Sequence, residues 1–420
     1  MFQTLRNAFR ISDLRRRILF TLYAILILRV GAHIPVPGVD ISVIQRLFQE
    51  GTLWGWLDMF SGGAFKSFTV MAMNVTPYIT ASIIIQLLTI VIPSWEKLMK
   101  EGGEEGRKLM TQWTRYGTVV LGLIQAYGMA YGLREAVITP TFAEFTLIAL
   151  TLTAGTSFLM WLGEQITEFG IGNGISLIIF AGIVSRLPAG AGNLYQYLVS
   201  GRISILNLLI LTIIAIAVIA GVVWVTEGQR RIPVQYAKRV VGKKVYGGQS
   251  THIPMRVNHA GVIPVIFASS ILLFPATVAQ FIRNPVFQKI AAALTPQGNW
   301  YYFLYSLFII FFTYFYTAIT FNPVEVSNNI KKYGGFIPGL RPGRPTSDYL
   351  ARVLERITLP GALFLAFVAG VLPMAARALT DIPSVYLGGT ALLIVEGVAL
   401  ETMKQLEAHL LMRHYQGFLK

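Results

Sequence analysis

Cysteine is absent from the 420 residues, which excludes a disulfide framework, a thiolate metal site and a thiol nucleophile. Charge is scarce as well. Asp, Glu, Lys and Arg make up 13% of the chain, against roughly 25% in a soluble domain. The five histidines show no ligand spacing. No nucleotide loop, catalytic triad or metal cluster is legible. Gly170-Ile171-Gly172-Asn173-Gly174 is glycine-rich, but it lies between apolar runs rather than after a strand, so it is not a phosphate cradle. These gaps point away from an enzyme, and no cofactor is expected.

What is plentiful is apolar side chain, at 54% of residues. A membrane-crossing helix needs roughly 20 mostly apolar residues. Runs bounded by charge, Pro and Gly predict ten spans at about 18–34, 72–92, 114–133, 146–166, 173–188, 206–226, 260–281, 301–321, 357–374 and 384–401. The fifth is short and follows a glycine cluster. The N-terminus imitates a secretory signal, with Arg15, Arg16 and Arg17 before the run from Ile18. That run contains Arg29, lacks a small-residue cleavage site and is followed by further spans, so it reads as a retained first helix. Phe2, Leu5 and Phe9 beside Arg6 and Arg10 suggest an amphipathic segment over residues 1–17, lying on the membrane surface.

Basic residues give an orientation. With a cytoplasmic N-terminus, the N-tail, the even-numbered loops, the C-tail and their helix ends hold 26 of the 35 Lys and Arg residues. The odd-numbered loops hold eight: Arg46, Lys66, Arg134, Arg186, Arg202, Arg283, Lys289 and Arg377. Arg29 lies inside the first span, near enough to its outer end to snorkel. Omitting one span would scramble this separation for every later loop, so the positive-inside bias supports the even count and both termini in the cytoplasm.

Two cytoplasmic loops stand out. The sixth, about 227–258, carries Arg230, Arg231, Lys238, Arg239, Lys243, Lys244 and Arg256, and Val234, Tyr236 and Val245 around Gly242 predict a β-hairpin with a basic tip. The eighth, about 322–356, carries Lys331, Lys332, Arg341, Arg344, Arg352 and Arg356. Topology signalling and anionic-lipid contact account for such charge; docking of an acidic or RNA-bearing partner also does, and the length of these loops favours it.

The chain echoes itself. Asn74-Val75-Thr76-Pro77-Tyr78-Ile79-Thr80-Ala81-Ser82 aligns with Gly261-Val262-Ile263-Pro264-Val265-Ile266-Phe267-Ala268-Ser269 at an offset of 187 residues, with Val, Pro, Ile, Ala and Ser coinciding. These segments open the second and seventh spans. Two five-helix halves with an odd number of spans each must have opposite orientation, an inverted-repeat plan. The halves are 18–188 and 206–401, between the segment 1–17 and a cytoplasmic tail at 402–420. Val75 and Ile79 lie four apart, as do Val262 and Ile266, so each pair shares a helix face.

The spans are nearly free of ionisable residues, which argues against ion-coupled transport. Glu164 and Glu168 sit at the cytoplasmic end of span four, and Glu396 alone is deep or semi-deep.

Longer motifs add a resemblance. Trp161-Leu162-Gly163-Glu164-Gln165-Ile166-Thr167-Glu168-Phe169-Gly170-Ile171-Gly172-Asn173-Gly174-Ile175-Ser176 resembles the fourth-to-fifth-helix signature of the SecY/Sec61-alpha family, and Pro77 to Leu88 its second-helix signature. Met59-Phe60-Ser61-Gly62-Gly63-Ala64 looks like the family's plug, and Pro338-Gly339-Leu340-Arg341-Pro342-Gly343 like its eighth-loop motif. Asn74 departs from the family, which often has Gly there. The resemblance covers essentially the whole chain. It implies an all-α integral membrane protein of ten transmembrane helices in two inverted five-helix halves, forming the protein-conducting channel of the preprotein translocase in a bacterial plasma membrane.

The family's pore ring falls on Val75, Ile79, Ile179, Ile266 and Ile394, its plug on about 57–69, and its lateral-gate polar positions on Gln86 and Asn258. Its partner-docking positions fall on Lys238, Arg239, Lys243, Lys244 and Arg341. The implied partners are the small subunits SecE and SecG, the SecA motor ATPase, a translating ribosome, preproteins with signal sequences, and membrane lipids. Glu396 stands two residues beyond Ile394, where the family is normally apolar. Facing the pore it eases chain passage or loosens the resting seal; facing lipid or a helix it costs stability. The rival reading, a secondary transporter of small solutes, also uses inverted five-helix repeats. Clean spans, long basic loops and a plug-like segment favour the channel.

Overall fold

In lipid every main-chain polar group must be satisfied within the segment, which leaves the helix as the default for these runs. The computed structural model describes residues 8–50, 58, 61–236, 239–241, 244–246, 250–279, 299–375 and 389–417, and among these residues each of the ten expected spans coincides largely with a helix. In chain order the helices are α1 (Ser12–Gly31), α2 (Ile41–Glu50), α3 (Thr76–Val91), α4 (Pro93–Glu101), α5 (Gly103–Gly132), α6 (Phe142–Phe169), α7 (Gly174–Val199) and α8 (Ile205–Glu227). They continue as α9 (Ile263–Ala279), α10 (Asn299–Thr320), α11 (Pro323–Lys332), α12 (Arg344–Ala366) and α13 (Gly389–Gly417). Among the described residues five strands intervene: β1 (Gln229–Tyr236), β2 (Arg239–Val241), β3 (Lys244–Tyr246), β4 (Ser250–Arg256) and β5 (Gly335–Phe336).

Among the described residues, five helical stretches are by themselves long and apolar enough to cross a membrane: Phe142–Phe169, Gly174–Val199, Ile205–Glu227, Trp300–Lys332 and Arg344–Ala375. Thr76–Val91 and Pro93–Met99 make a sixth if taken together, bent by 105° at Ile92. Pro93 opens α4 at its first turn, and the residue before a proline is driven to extended backbone, which Ile92 adopts at φ −98°, ψ 109°. The fifth span is longer than expected. α7 runs on through Pro188 to Val199, well past the predicted end at 188.

The chain divides into two compact units, one of Met1–Ile205, Ser269–Tyr301 and Ile394–Lys420, the other of Leu206–Ala268 and Tyr302–Leu393. In the first, α5 and α6 pack along faces of small residues. A methyl group on Gly122 would meet Thr153 Cγ2 at 3.4 Å, so the two helices are already close to van der Waals contact there. Near the charged ends of these helices, Arg115 holds Glu164 with two bonds, Nε to Oε1 at 2.9 Å and Nη2 to Oε2 at 2.8 Å. This forked geometry is the strongest form of ion pair. Phe65, Phe68, Ile148 and Leu152 belong to the buried core of this unit. Before α2, Asp40 accepts hydrogen bonds from the Ser42 hydroxyl and amide, and those bonds hold its carboxyl below the usual carboxylate range.

In the second unit, Phe267 packs edge-on against Phe312 at 5.8 Å between ring centres, and the Tyr305 hydroxyl donates to the Val265 carbonyl at 3.3 Å. β1 pairs antiparallel with β4 from Gln229↔Arg256 to Gln235↔Ser250, the hairpin predicted from the alternation at Val234 and Tyr236. Beyond it, β2 and β3 pair at Val240↔Val245. The third strand was not foreseen: β5, from the eighth loop, pairs with the other edge of β1 at Gln235↔Phe336 and Tyr236↔Gly335.

Candidate functional site

The repeat seen in the sequence is present in the backbone. α3 begins at Thr76 and α9 at Ile263, the same offset of 187 residues, each with proline as its second residue, Pro77 or Pro264. Proline in a first turn forfeits only an amide that has no partner in the helix. Two residues before each helix the chain turns left-handed, at Asn74 (φ 50°) and Gly261 (φ 62°). Glycine adopts that conformation freely and asparagine tolerates it, whereas other side chains strain. Asn74 is therefore the conformational equal of the family's glycine. Ile79 N–H then donates to the Val75 carbonyl at 3.0 Å, and Ile266 N–H to the Val262 carbonyl at 3.2 Å. Asn74→Gly is expected to leave thermal stability nearly unchanged. Asn74→Val should cost about 1–2 kcal/mol, the left-handed penalty of a side chain with no local hydrogen bond to offer. Equal melting midpoints for the two variants in detergent would refute the assignment.

Val75, Ile79, Ile179, Ile266 and Ile394 are all buried. Val75, Ile79, Ile179 and Ile394 belong to the first unit and Ile266 to the second. Glu396 is half-buried on α13 with both carboxylate oxygens shielded from solvent.

Of the plug-like segment, Leu57, Met59 and Phe60 lie outside the described residues. Residues 61–75 are almost wholly turns, and four of them have positive φ: Gly62 at 65°, Gly63 at 95°, Phe68 at 42° and Asn74 at 50°. For a bulky residue such as Phe68 this backbone is a true outlier. It is held by Val36 N–H on the Phe68 carbonyl at 3.0 Å and by edge-on packing against Phe65 at 6.3 Å.

Asp58, 1% exposed, organises the segment's start. Its Oδ1 accepts from Lys66 N–H at 2.8 Å and from the Ser61 hydroxyl at 3.3 Å. Its Oδ2 is ion-paired with Arg186 of α7. Arg186, counted with the outer loops although it falls near the end of the fifth expected span, lies well within α7 and is turned inward. Arg29 also differs from expectation. Instead of snorkelling out, its guanidinium donates to the Gly62 carbonyl at 3.5 Å. A cavity of about 10 Å³, room for one water, lies among Arg29, Ser61, Asn74, Ile178 and Gly182.

Gln86 and Asn258 each spend an amide N–H locally, on the Ser82 hydroxyl at 3.1 Å and the Gly261 carbonyl at 3.1 Å. Each leaves its side-chain carbonyl buried with no donor. An unmet buried acceptor costs roughly 1–3 kcal/mol, so both positions are poised to gain from a donor.

The basic loops form one body in the second unit. Ile232, Val234 and Met255 of the hairpin share a buried cluster with Ile330, Ile337, Leu350, Val353 and Leu354 of α11, α12 and the turn between them. Arg341 is exposed on that turn. Its loop is pinned on both sides: the Thr346 hydroxyl donates to the Arg341 carbonyl at 2.9 Å and the Ser327 hydroxyl to the Gly343 carbonyl at 2.7 Å. Gly339 (φ 83°) and Gly343 (φ 105°) supply the left-handed corners. Arg239 and Lys244 lie on the paired strands β2 and β3, while Lys238 and Lys243 fall outside the described residues.

The segment around residues 170–174 is tied to two distant stretches of the first unit, α1 and α13. Arg17 Nη1 donates to the Glu168 and Gly170 carbonyls, both at 3.3 Å, Ile171 N–H donates to the Thr21 hydroxyl at 3.1 Å, and Gly172 N–H donates to Gln405 Oε1 at 2.9 Å. Sequence reasoning found the motif but not these partners, which lie some 150 and 233 positions away.

A family model described as SecY matches residues 69–403. The protein translocase subunit SecY of Halalkalibacterium halodurans is 48% identical over 435 aligned positions, covering 100% of both chains. A solved protein-conducting channel superposes with a TM-score of 0.66 at 17% identity, over 94% of this chain and 92% of that one. Sec61 in the canine ribosome–channel complex from the endoplasmic reticulum gives a TM-score of 0.60 at 16% identity, over 94% and 92% of the respective chains.

Proposed function

The chain belongs to the SecY family, and from that premise we propose which of its parts conduct, seal and dock. It is a multi-pass membrane protein, a protein-conducting channel subunit of a translocase rather than an enzyme. In this proposal it sits in a bacterial plasma membrane with both termini in the cytoplasm and passes unfolded preproteins outward. Val75, Ile79, Ile179, Ile266 and Ile394 form an apolar constriction, since branched aliphatic side chains close around a moving chain without binding it and an apolar neck resists ions by dewetting. The segment 57–69 plugs the resting channel, and spans two and seven part as a lateral gate at Gln86 and Asn258, releasing signal sequences and apolar helices into lipid. The observation that carries this reading is the duplicated helix entry at Asn74 and Gly261, which gives each half the same aliphatic pair behind the same turn.

Arg341, with Lys238, Arg239, Lys243 and Lys244, docks the cytosolic partner: the SecA ATPase, or a ribosome, as the canine neighbour suggests. SecE and SecG complete the complex. The test is a proteoliposome assay with SecE, SecG, SecA and ATP, following protease protection of a signal-bearing preprotein. Protection should depend on ATP, and Arg341→Glu should weaken docking about tenfold, the equivalent of about 1.4 kcal/mol. Raising the SecA concentration should restore it. Ion-driven uptake of a small solute without protection of preprotein would move the chain to the transporter class.

A further inference from the structure

Two guanidinium groups hold the plug-like segment from different helices: Arg29 of α1 on the Gly62 carbonyl, and Arg186 of α7 on the Asp58 carboxylate. The second contact is the more demanding. Asp58 has a side chain only 2% exposed and that of Arg186 is 19% exposed, so separation of the pair leaves a carboxylate in a site poor in water. Such a charge is tolerated only while it is paired and hydrogen-bonded. Asp58 also closes its own turn, through Lys66 N–H and the Ser61 hydroxyl. One carboxylate thus folds the segment with one oxygen and ties it to α7 with the other. Beside the tie, Gly62 lies so close to α7 that a methyl group on it would meet Gly182 Cα at 2.8 Å.

We propose that the Asp58–Arg186 ion pair is the latch of the resting plug, made in the closed channel and broken when the segment leaves α7. Asp58 and Arg186 are positioning residues: they touch no translocating chain but set how readily the seal yields. This rests on the reading of residues 57–69 as a plug. Loss of a contact made only in the closed state shifts the population toward the open one by the energy of that contact. A weaker latch therefore means a leakier resting channel and a lower demand on the signal sequence.

The test is a double-mutant cycle on the full chain, reconstituted with SecE and SecG, reading resting chloride leak from liposomes. Asp58→Asn keeps the oxygen that accepts from Lys66 and Ser61, so it removes the charge and spares the turn. Each of Asp58→Asn and Arg186→Gln should raise the leak about tenfold or more, as expected for breaking a buried pair. The double variant should leak no more than the worse single one, because the ion pair is already broken by either change alone. Both single variants should also export a preprotein with a defective signal. Singles as tight as the parent, or leaks that simply multiply in the double variant, would overturn the latch. Failure of the parent chain to export a signal-bearing preprotein would instead overturn the channel reading, and the comparison of leaks would still report on the ion pair.

Discussion

Alanine at position 155 will cost this protein much of its stability. Gly155 lies midway along α6, where an added β-carbon runs into the Val70 carbonyl oxygen, with Val70 C at 2.8 Å and Val70 Cγ1 at 2.9 Å behind it. A flexible side chain could swing aside, but main chain cannot. Val70 is itself fixed, its N–H donating to the Ile34 carbonyl at 2.9 Å, next to a bridge between Pro35 and Thr69. Overpacking of a core typically costs 1–3 kcal/mol. With backbone as the obstacle and no direction of retreat, Gly155→Ala should reach about 3 kcal/mol or more, a large share of the roughly 5–15 kcal/mol that holds a typical protein folded. Thermal unfolding in detergent, followed by gel filtration, reads the loss directly. A midpoint within a degree of the parent would mean that α6 stands farther from Val70 than described.

The second large effect concerns the proposed constriction. Serine at Ile79, Ile179 and Ile394 together should turn a tight resting channel into an ion leak about ten times the parent's or greater, because a polar neck stays wet where an aliphatic one dewets. Leucine at the same three positions keeps the neck apolar and should keep it tight. Chloride efflux from liposomes distinguishes the sets, with gel filtration confirming that each folds. A serine variant as tight as the leucine one would remove these residues from the constriction.

Much of the helical framework was legible because lipid makes a simple demand: roughly 20 apolar residues per crossing, with charge kept to the ends. The duplicated helix opening was visible in the alignment of Asn74–Ser82 with Gly261–Ser269, but the left-handed turn before each helix was not read from it. Nor was the pairing of Asp58 with Arg186 legible. Their separation of 128 positions leaves no periodic trace, and an arginine near the end of an expected span reads as a loop residue. Pro188 misled in the same direction, marking an end where the helix continues to Val199. β5 escaped because a strand of two residues, Gly335–Phe336, has no alternation to detect. Its partner is chosen by the cluster beneath it, where Ile330 and Ile337 meet Val234.

That short strand has a mechanical consequence. With β5 bonded to β1, and β1 to β4 over seven residue pairs from Gln229↔Arg256 to Gln235↔Ser250, the eighth loop is not a tether. A load applied at Arg341 passes through the pinned turn into α12, and through β5 into the sheet. β1 and β4 carry it to the end of α8, one residue away in the chain, and to the start of α9, six residues away. The basic platform is therefore a stiff coupling. In the docking proposed above, a stroke made by a partner would reach three helices at once rather than being absorbed in slack.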